Sequence, residues 1–193
     1  DTSPRGANIP GEEDSWDFGT GAGFYVNATK EPWNKYYNMY DHVLKEIPQL
    51  IASEQIPIDV SRASIFGHSM GGHGALVMYL REQAHFRSVS AFAPICHPTN
   101  CETGKKLFEG YLAGGIDDGK QYDAAVLLSK LESSRQVDVL VDCGLNDNFY
   151  KQKQLQPESL VEAGKRSGID TARIQVRLHD GYDHSCTSIA NKL

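Results

Sequence analysis

The pentapeptide Gly67-His68-Ser69-Met70-Gly71 restricts the possible folds of this chain more than any other feature. It has the form G-x-S-x-G. A short, strand-like apolar run (62–66) leads into it, and helical spacing (71–82) follows it. A strand, a sharp turn bearing serine and a helix together form a nucleophile elbow, which projects the hydroxyl from the edge of an α/β sheet. We expect glycine at both 67 and 71 because a side chain at either position would clash in so tight a turn. A glycine-rich turn with an incidental serine is the alternative.

The rest of the chain alternates between helical and strand-like patterns, as expected for βαβ crossovers and a mainly parallel sheet flanked by helices. We therefore predict an α/β fold in a single domain over residues 1–193. Residues 1–35 are predicted to form a long loop, and 95–125 an irregular, glycine-rich insertion or cap. Helices are predicted over 36–53 (kinked or divided at Pro48), 71–82, 126–131 and 155–166, and strands over 62–66, 88–93, 137–142 and 173–178.

Composition excludes several classes of function. The net charge of −6, with acidic and basic residues interspersed, argues against a nucleic-acid partner. No stretch approaches the roughly 20 apolar residues of a membrane helix, and the start has no signal-peptide pattern. The four cysteines form no C-x-x-C pair, and no histidines lie at zinc-ligand spacing from them. We therefore predict reduced thiols in the cytosol, with no metal and no cofactor.

A nucleophilic serine needs a histidine base that is oriented by an acid, and in this type of fold the chain order is serine, acid, histidine. Asp142 and Asp147 both lie at the end of the predicted strand 137–142, and His179 and His184 both follow the last strand. Asp147 lies in a loop from which its carboxylate can reach a histidine. His184 follows a glycine hinge, whereas His179 stays close to its strand. The loop positions favour Asp147 and His184 and leave Asp142 and His179 open as alternatives.

Two further groups could act on a substrate. The backbone N–H of Met70 would lie at the start of the helix that follows the elbow, where it could stabilise developing negative charge as part of an oxyanion hole. Lys105, Lys106 and Arg5 could meet an anionic substrate, although a solvated surface position is the favoured interpretation for each.

Five longer stretches of this sequence resemble the S-formylglutathione hydrolase family, also called esterase D. They include the elbow with its flanks, Phe66-Gly67-His68-Ser69-Met70-Gly71-Gly72-His73-Gly74-Ala75, and the segment Gly181-Tyr182-Asp183-His184-Ser185. The resemblance covers nearly the whole chain up to about Ser185. The other three stretches are 1–6, 15–26 and 90–95.

The resemblance implies an α/β-hydrolase that cleaves S-formylglutathione to formate and glutathione in formaldehyde detoxification, with side activity on carboxylic esters. It implies a cytosolic protein whose partner is a small-molecule glutathione thioester, not nucleic acid or a membrane, and a homodimer is one expected assembly. The family's catalytic serine matches Ser69 and its histidine matches His184. Its aspartate matches Asp147 of Gly144-Leu145-Asn146-Asp147.

The sequence departs from the family at both ends. Family members carry a segment before Asp1 with the first strands of the sheet and a second oxyanion donor, and a C-terminal helix follows Ser185 in them. The resemblance therefore implies an N-terminally incomplete fragment. Loss of one oxyanion donor costs on the order of 100- to 1000-fold in rate. A general carboxylesterase or acyltransferase of the same fold, or a catalytically impaired truncated form, are the alternatives.

Overall fold

The computed structural model describes residues 2–82 and 85–187. Its centre is a sheet of four parallel strands in the order β1-β2-β3-β4, with each strand paired to the next in sequence. This confirms the predicted α/β fold with a parallel sheet. The strands are β1 (Ile65–His68), β2 (Val89–Phe92), β3 (Val139–Gly144) and β4 (Ile174–His179).

The burial of the strands follows their positions in the sheet. The two central strands β2 and β3 are almost entirely buried, whereas β4, at one side of the sheet, has mostly partly or fully exposed residues. At the other edge, β1 begins three residues later than predicted. Residues Val60–Arg62 form a 3₁₀ turn instead, because the Asp59 side chain accepts a hydrogen bond from Ser61 N and ends the extended chain before the strand.

The first predicted helix is continuous, but its winding changes along its length. It begins as α1 (Met39–Asp41), widens into a π-helical segment (His42–Glu46) and returns to α-helix in α2 (Ile47–Ser53). Pro48 lies in the first turn of α2, directly after the π segment. Because proline has no N–H and its ring crowds the preceding turn, the change of winding falls where the sequence predicted a kink.

Helix α3 (Met70–Arg81) follows the elbow and packs against β1 and β2. All of its residues from Gly72 to Leu80 are buried, so this helix forms the centre of the core. The remaining helices are α4 (Glu102–Tyr111), α5 (Gly115–Gly119), α6 (Ala124–Ser129), α7 (Asn148–Lys151) and α8 (Glu158–Ser167). Among the described helices, none combines the length and the apolar character needed to cross a membrane.

The prediction of irregular structure over 95–125 is wrong, since this segment contains α4, α5 and the start of α6. Three of its glycines, Gly104, Gly110 and Gly119, lie at close contacts between elements instead of at breaks in the chain. A Cβ at Gly104 would come within 2.1 Å of the Pro98 carbonyl oxygen, and one at Gly110 within 2.1 Å of the Phe18 ring. The glycine content therefore reflects tight packing of α4 against its neighbours.

The long N-terminal loop is confirmed, and α4 holds it in place. Within residues 2–35 the regular structure consists of a 3₁₀ turn (Trp33–Lys35) and isolated bridges. The Tyr111 hydroxyl accepts a hydrogen bond from Gly19 N at 2.7 Å and donates one to Ala22 O at 3.0 Å, while its ring stacks on Phe18. The last residue of α4 thus fixes the part of the loop that borders the site described next.

Candidate active site

The elbow holds Ser69 in a strained backbone conformation between β1 and α3. Its φ of 55° and ψ of −118° lie in a region that residues other than glycine rarely adopt. The turn is secured on both sides, because Ser69 N donates to Phe92 O of β2 at 2.8 Å and His73 N donates to Ser69 O at 3.0 Å. This geometry presents the Ser69 hydroxyl to a cleft at the carboxyl ends of the strands.

The two glycines of the motif have different structural roles. A Cβ at Gly67 would lie 2.2 Å from the backbone oxygen of Gly71, which no side chain can do. A Cβ at Gly71 itself would have its nearest neighbours, in the Tyr25 ring, at 3.9 Å. The expectation that a side chain at either glycine would clash is therefore wrong for Gly71, which lies in the first turn of α3 with its open side toward Tyr25.

This difference predicts opposite outcomes for two alanine variants. We expect Gly67→Ala to lower the free energy of unfolding by about 3 kcal/mol or more, because the added methyl group must displace backbone. We expect Gly71→Ala to change it by less than about 1 kcal/mol, because the space is open and alanine is the better helix former. Urea unfolding of both variants measures the difference, and equal midpoints would contradict this account of the elbow.

The structure brings Ser69, His184 and Asp147 into one chain of hydrogen bonds. His184 Nε2 lies 2.9 Å from Ser69 Oγ, and His184 Nδ1 lies 2.5 Å from Asp147 Oδ2. The Asp147 side chain is fully buried and the His184 side chain is 25% exposed. The three residues follow the carboxyl ends of β1, β3 and β4. Because the strands are parallel, these ends lie on the same side of the sheet, which brings the three residues together.

The Asp147 carboxylate is oriented by the helix that it caps. Its Oδ1 accepts hydrogen bonds from Phe149 N at 2.7 Å and Tyr150 N at 3.4 Å, at the start of α7. This arrangement occupies one carboxylate oxygen and turns the other toward His184. With Nδ1–H donating to Oδ2, the Nε2 atom of His184 is left to accept the proton of the Ser69 hydroxyl.

The loop that carries His184 is held by close backbone contacts. Asn146 N donates to Tyr182 O at 2.9 Å, and a Cβ at Gly144 would come within 2.1 Å of that same oxygen. On the other side, His68 Nε2 lies 2.8 Å from the carbonyl oxygen of His184. Burial lowers the pKa of His68, and a carbonyl oxygen can only accept, so Nε2 is the donor in this hydrogen bond. His68 therefore supports His184 from the elbow.

The alternative acid and base form a separate pair. His179 Nε2 lies 3.0 Å from Asp142 Oδ1, and Arg177 binds the same carboxylate through two nitrogen atoms. Burial acts to raise the pKa of Asp142, but the hydrogen bonds from Arg177 and His179 hold it below its ordinary value. This ionised group links β3 to β4, and neither Asp142 nor His179 has a described contact with Ser69.

The backbone N–H of Met70 begins α3 directly beside the Ser69 hydroxyl. The first N–H groups of a helix have no acceptor within the helix, and no described residue accepts a hydrogen bond from Met70 N. The Met70 sulfur accepts a hydrogen bond from Thr2 Oγ1 at 3.2 Å, which fixes the Met70 side chain. Met70 also lines the cleft, so this N–H is a candidate donor to an anionic oxygen bound there.

The cleft above Ser69 has a volume of about 360 Å³. Its lining residues include both apolar side chains and polar or charged ones, with the exposed Trp16 among them. Sequence reasoning missed Trp16 and Asp17, although both lie in one of the stretches that carry the resemblance. The apolar side chains are those of Phe24, Met70, Ile95, Phe149 and Leu155, and the others are those of Trp16, Asp17, Glu102, Thr103, Lys106, Gln152 and Gln154.

Comparison with known proteins places the chain in a family. The model of a family described as putative esterase matches residues 1–191. S-formylglutathione hydrolase of Mus musculus is 53% identical over 190 residues, which are 98% of this chain and 66% of that protein. The enzyme of the same name in Arabidopsis thaliana is 50% identical, with 98% and 65% covered.

A solved structure agrees with the sequence comparison. The S-formylglutathione hydrolase from Agrobacterium tumefaciens matches with a TM-score of 0.89 at 42% identity, over 99% of this chain and 66% of that one. The chain therefore spans just under two thirds of the length of these relatives. Their agreement over nearly all of this chain confirms the resemblance: the chain belongs to the esterase family of α/β-hydrolases that includes the S-formylglutathione hydrolases.

Proposed function

We propose that this chain carries the active site of a serine thioesterase that hydrolyses S-formylglutathione to formate and glutathione. The observation that supports this most is the position of His184, 2.9 Å from the Ser69 hydroxyl and 2.5 Å from the buried Asp147 carboxylate. This is the arrangement that makes a serine nucleophilic. The substrate is inferred from the relatives, which are named for it at 50–53% identity.

In the first half of the reaction, Ser69 Oγ attacks the formyl carbonyl carbon while His184 Nε2 takes the hydroxyl proton. Asp147 stabilises the imidazolium that forms, and the Met70 N–H donates to the oxyanion. One such donor contributes about 3–4 kcal/mol to stabilisation of the transition state. The C–S bond then breaks, and the glutathione sulfur leaves with the proton from His184.

In the second half, water attacks the formyl ester on Ser69 and gives a proton to His184. The C–O bond to Ser69 breaks as His184 returns the proton to the Ser69 oxygen, and formic acid leaves and ionises to formate in solvent. The apolar side chains that line the cleft, including Phe149 with its ring centroid 4.6 Å from that of His184, limit access of bulk water to the charged intermediate.

Substrate preference tests the proposed function. We expect kcat/KM for S-formylglutathione to exceed that for 4-nitrophenyl acetate by at least about tenfold, because a cleft with charged walls can bind the tripeptide as well as the acyl group. Preference for the aryl ester would favour a general carboxylesterase. Ester products formed with added alcohols in place of formate would favour an acyltransferase.

The proposal also covers the cellular compartment and the oligomeric state of the enzyme. Cys96, Cys101 and Cys143 are buried free thiols and Cys186 is an exposed one, which suits a reducing compartment such as the cytosol. Assembly into a homodimer stays a prediction, and light scattering on the purified protein would test it.

A further inference from the structure

An ion pair at the edge of the cleft joins two segments that are far apart in sequence. Lys106 of α4 binds the Asp17 carboxylate through its ammonium group and also donates to Ser15 Oγ at 2.9 Å. Asp17 belongs to the N-terminal loop that Tyr111 anchors. Both Lys106 and Asp17 line the same cleft as Ser69, but neither has a described contact with Ser69, His184 or Asp147.

Each partner of the ion pair has a hydrogen-bonding group that its described contacts leave available. An ammonium group has three donors, and the described contacts of Lys106 use two of them. The described contacts of Asp17, from Lys106 and Ser15, both end on Oδ1, and no described residue binds Oδ2. The Lys106 side chain is 47% exposed and the Asp17 side chain 25%, so a ligand in the cleft can reach both.

The mixture of charges on this wall indicates what kind of ligand it suits. A site for a simple anion would present cations alone, and a site for an apolar ester would present neither sign of charge. Here Lys106 lines the cleft together with Asp17 and with Glu102, whose side chain is 85% exposed. The γ-glutamyl end of glutathione carries an ammonium and a carboxylate on the same carbon atom, whereas its glycine end carries a carboxylate alone. An adjacent cation and anion complement the γ-glutamyl end.

We propose that Lys106 and Asp17 bind the zwitterionic γ-glutamyl end of a glutathione thioester, Lys106 through the α-carboxylate and Asp17 Oδ2 through the α-ammonium. This inference rests on the proposed function, since it assigns a subsite to that substrate. The two residues act on the part of the substrate that does not react. Their contacts are therefore the same in the ground state and the transition state, and they lower KM without changing kcat.

Binding of an unreactive analogue tests the subsite independently of turnover. S-methylglutathione carries the whole tripeptide, and N-acetyl-S-methylcysteinylglycine keeps the glycine carboxylate but lacks the zwitterion. By calorimetry we expect the first ligand to bind about tenfold more tightly, the value of a partly exposed, charge-assisted contact. We expect Lys106→Gln and Asp17→Asn each to remove most of this difference.

Lys105 provides a matched control on the same helix. Its side chain is 43% exposed, it pairs with Glu102 at 3.6 Å, and it is not part of the cleft wall. Lys105→Gln should leave both dissociation constants unchanged. Equal binding of the two ligands by the unchanged protein, or a Lys106→Gln variant that keeps the preference, would overturn the inference. Selective binding of S-methylglutathione without hydrolysis of S-formylglutathione would support the subsite and contradict the proposed function.

Discussion

Replacing Ser69 with alanine is expected to lower kcat for S-formylglutathione and for 4-nitrophenyl acetate by on the order of 10⁴- to 10⁶-fold. The Ser69 oxygen is the atom that forms the covalent bond, and no other described hydroxyl lies at hydrogen-bond distance from His184 Nε2. Both substrates should be affected alike because the step that is lost is common to them. Steady-state rates at saturating substrate measure the effect.

The Ser69→Ala variant should remain folded. The one described hydrogen bond of the Ser69 side chain is the one to His184, and the turn is secured by backbone contacts that alanine keeps. We expect its unfolding midpoint to match that of the unchanged protein. An inactive variant that is also unfolded would not test the nucleophile, so the unfolding midpoint is measured on the same samples. A folded variant that retains turnover would contradict the mechanism.

Replacing Asp147 with asparagine is expected to reduce kcat by about 10⁴-fold. Asparagine can still cap α7 through its amide oxygen, so the two hydrogen bonds from Phe149 N and Tyr150 N are preserved. The amide nitrogen would then face His184 Nδ1 and donate to it. The His184 proton would move to Nε2, and the ring could no longer accept the proton of Ser69.

Asp142 supplies the control for this variant because it makes the second aspartate–histidine pair at the same edge of the sheet. Asp142→Asn weakens the contacts to Arg177 and His179, so we expect some loss of stability. The Asp142→Asn substitution can affect the Ser69 site only by shifting the loop that follows β4. We therefore expect kcat to fall by less than about tenfold. Equal losses of kcat in Asp142→Asn and Asp147→Asn would show that the Asp147 contact has no special role.

The elbow and the sheet could be predicted from the sequence because their signals are local. The apolar strand, the glycine at 67 and the helical spacing after Ser69 all lie within a short stretch. The order along the chain is the same for both candidate pairs, so only their loop positions and the family resemblance favoured Asp147 and His184 over Asp142 and His179. Which histidine turns toward Ser69 depends on the close approach of Gly144 to Tyr182, a contact between distant parts of the chain.

Glycine misled the sequence analysis in two places for one physical reason. A glycine can mark a flexible break or a close approach, and the sequence does not distinguish the two. Gly104 and Gly110 lie at close approaches within a helix, whereas Gly71 has open space beside it.

Lys106 was interpreted as a solvated surface lysine because its contact is also invisible in the local sequence. Its partner Asp17 lies 89 residues away in the chain.

Covalent labelling by a fluorophosphonate probe, with the modified residue identified by mass spectrometry, tests the claim that His184 and Asp147 activate Ser69. The geometry predicts a single adduct on the peptide that contains Ser69. This adduct should be absent in Ser69→Ala, form much more slowly in Asp147→Asn and form at an almost unchanged rate in Asp142→Asn. Labelling at another residue, or labelling of Ser69 at the same rate in Asp147→Asn, would contradict the account.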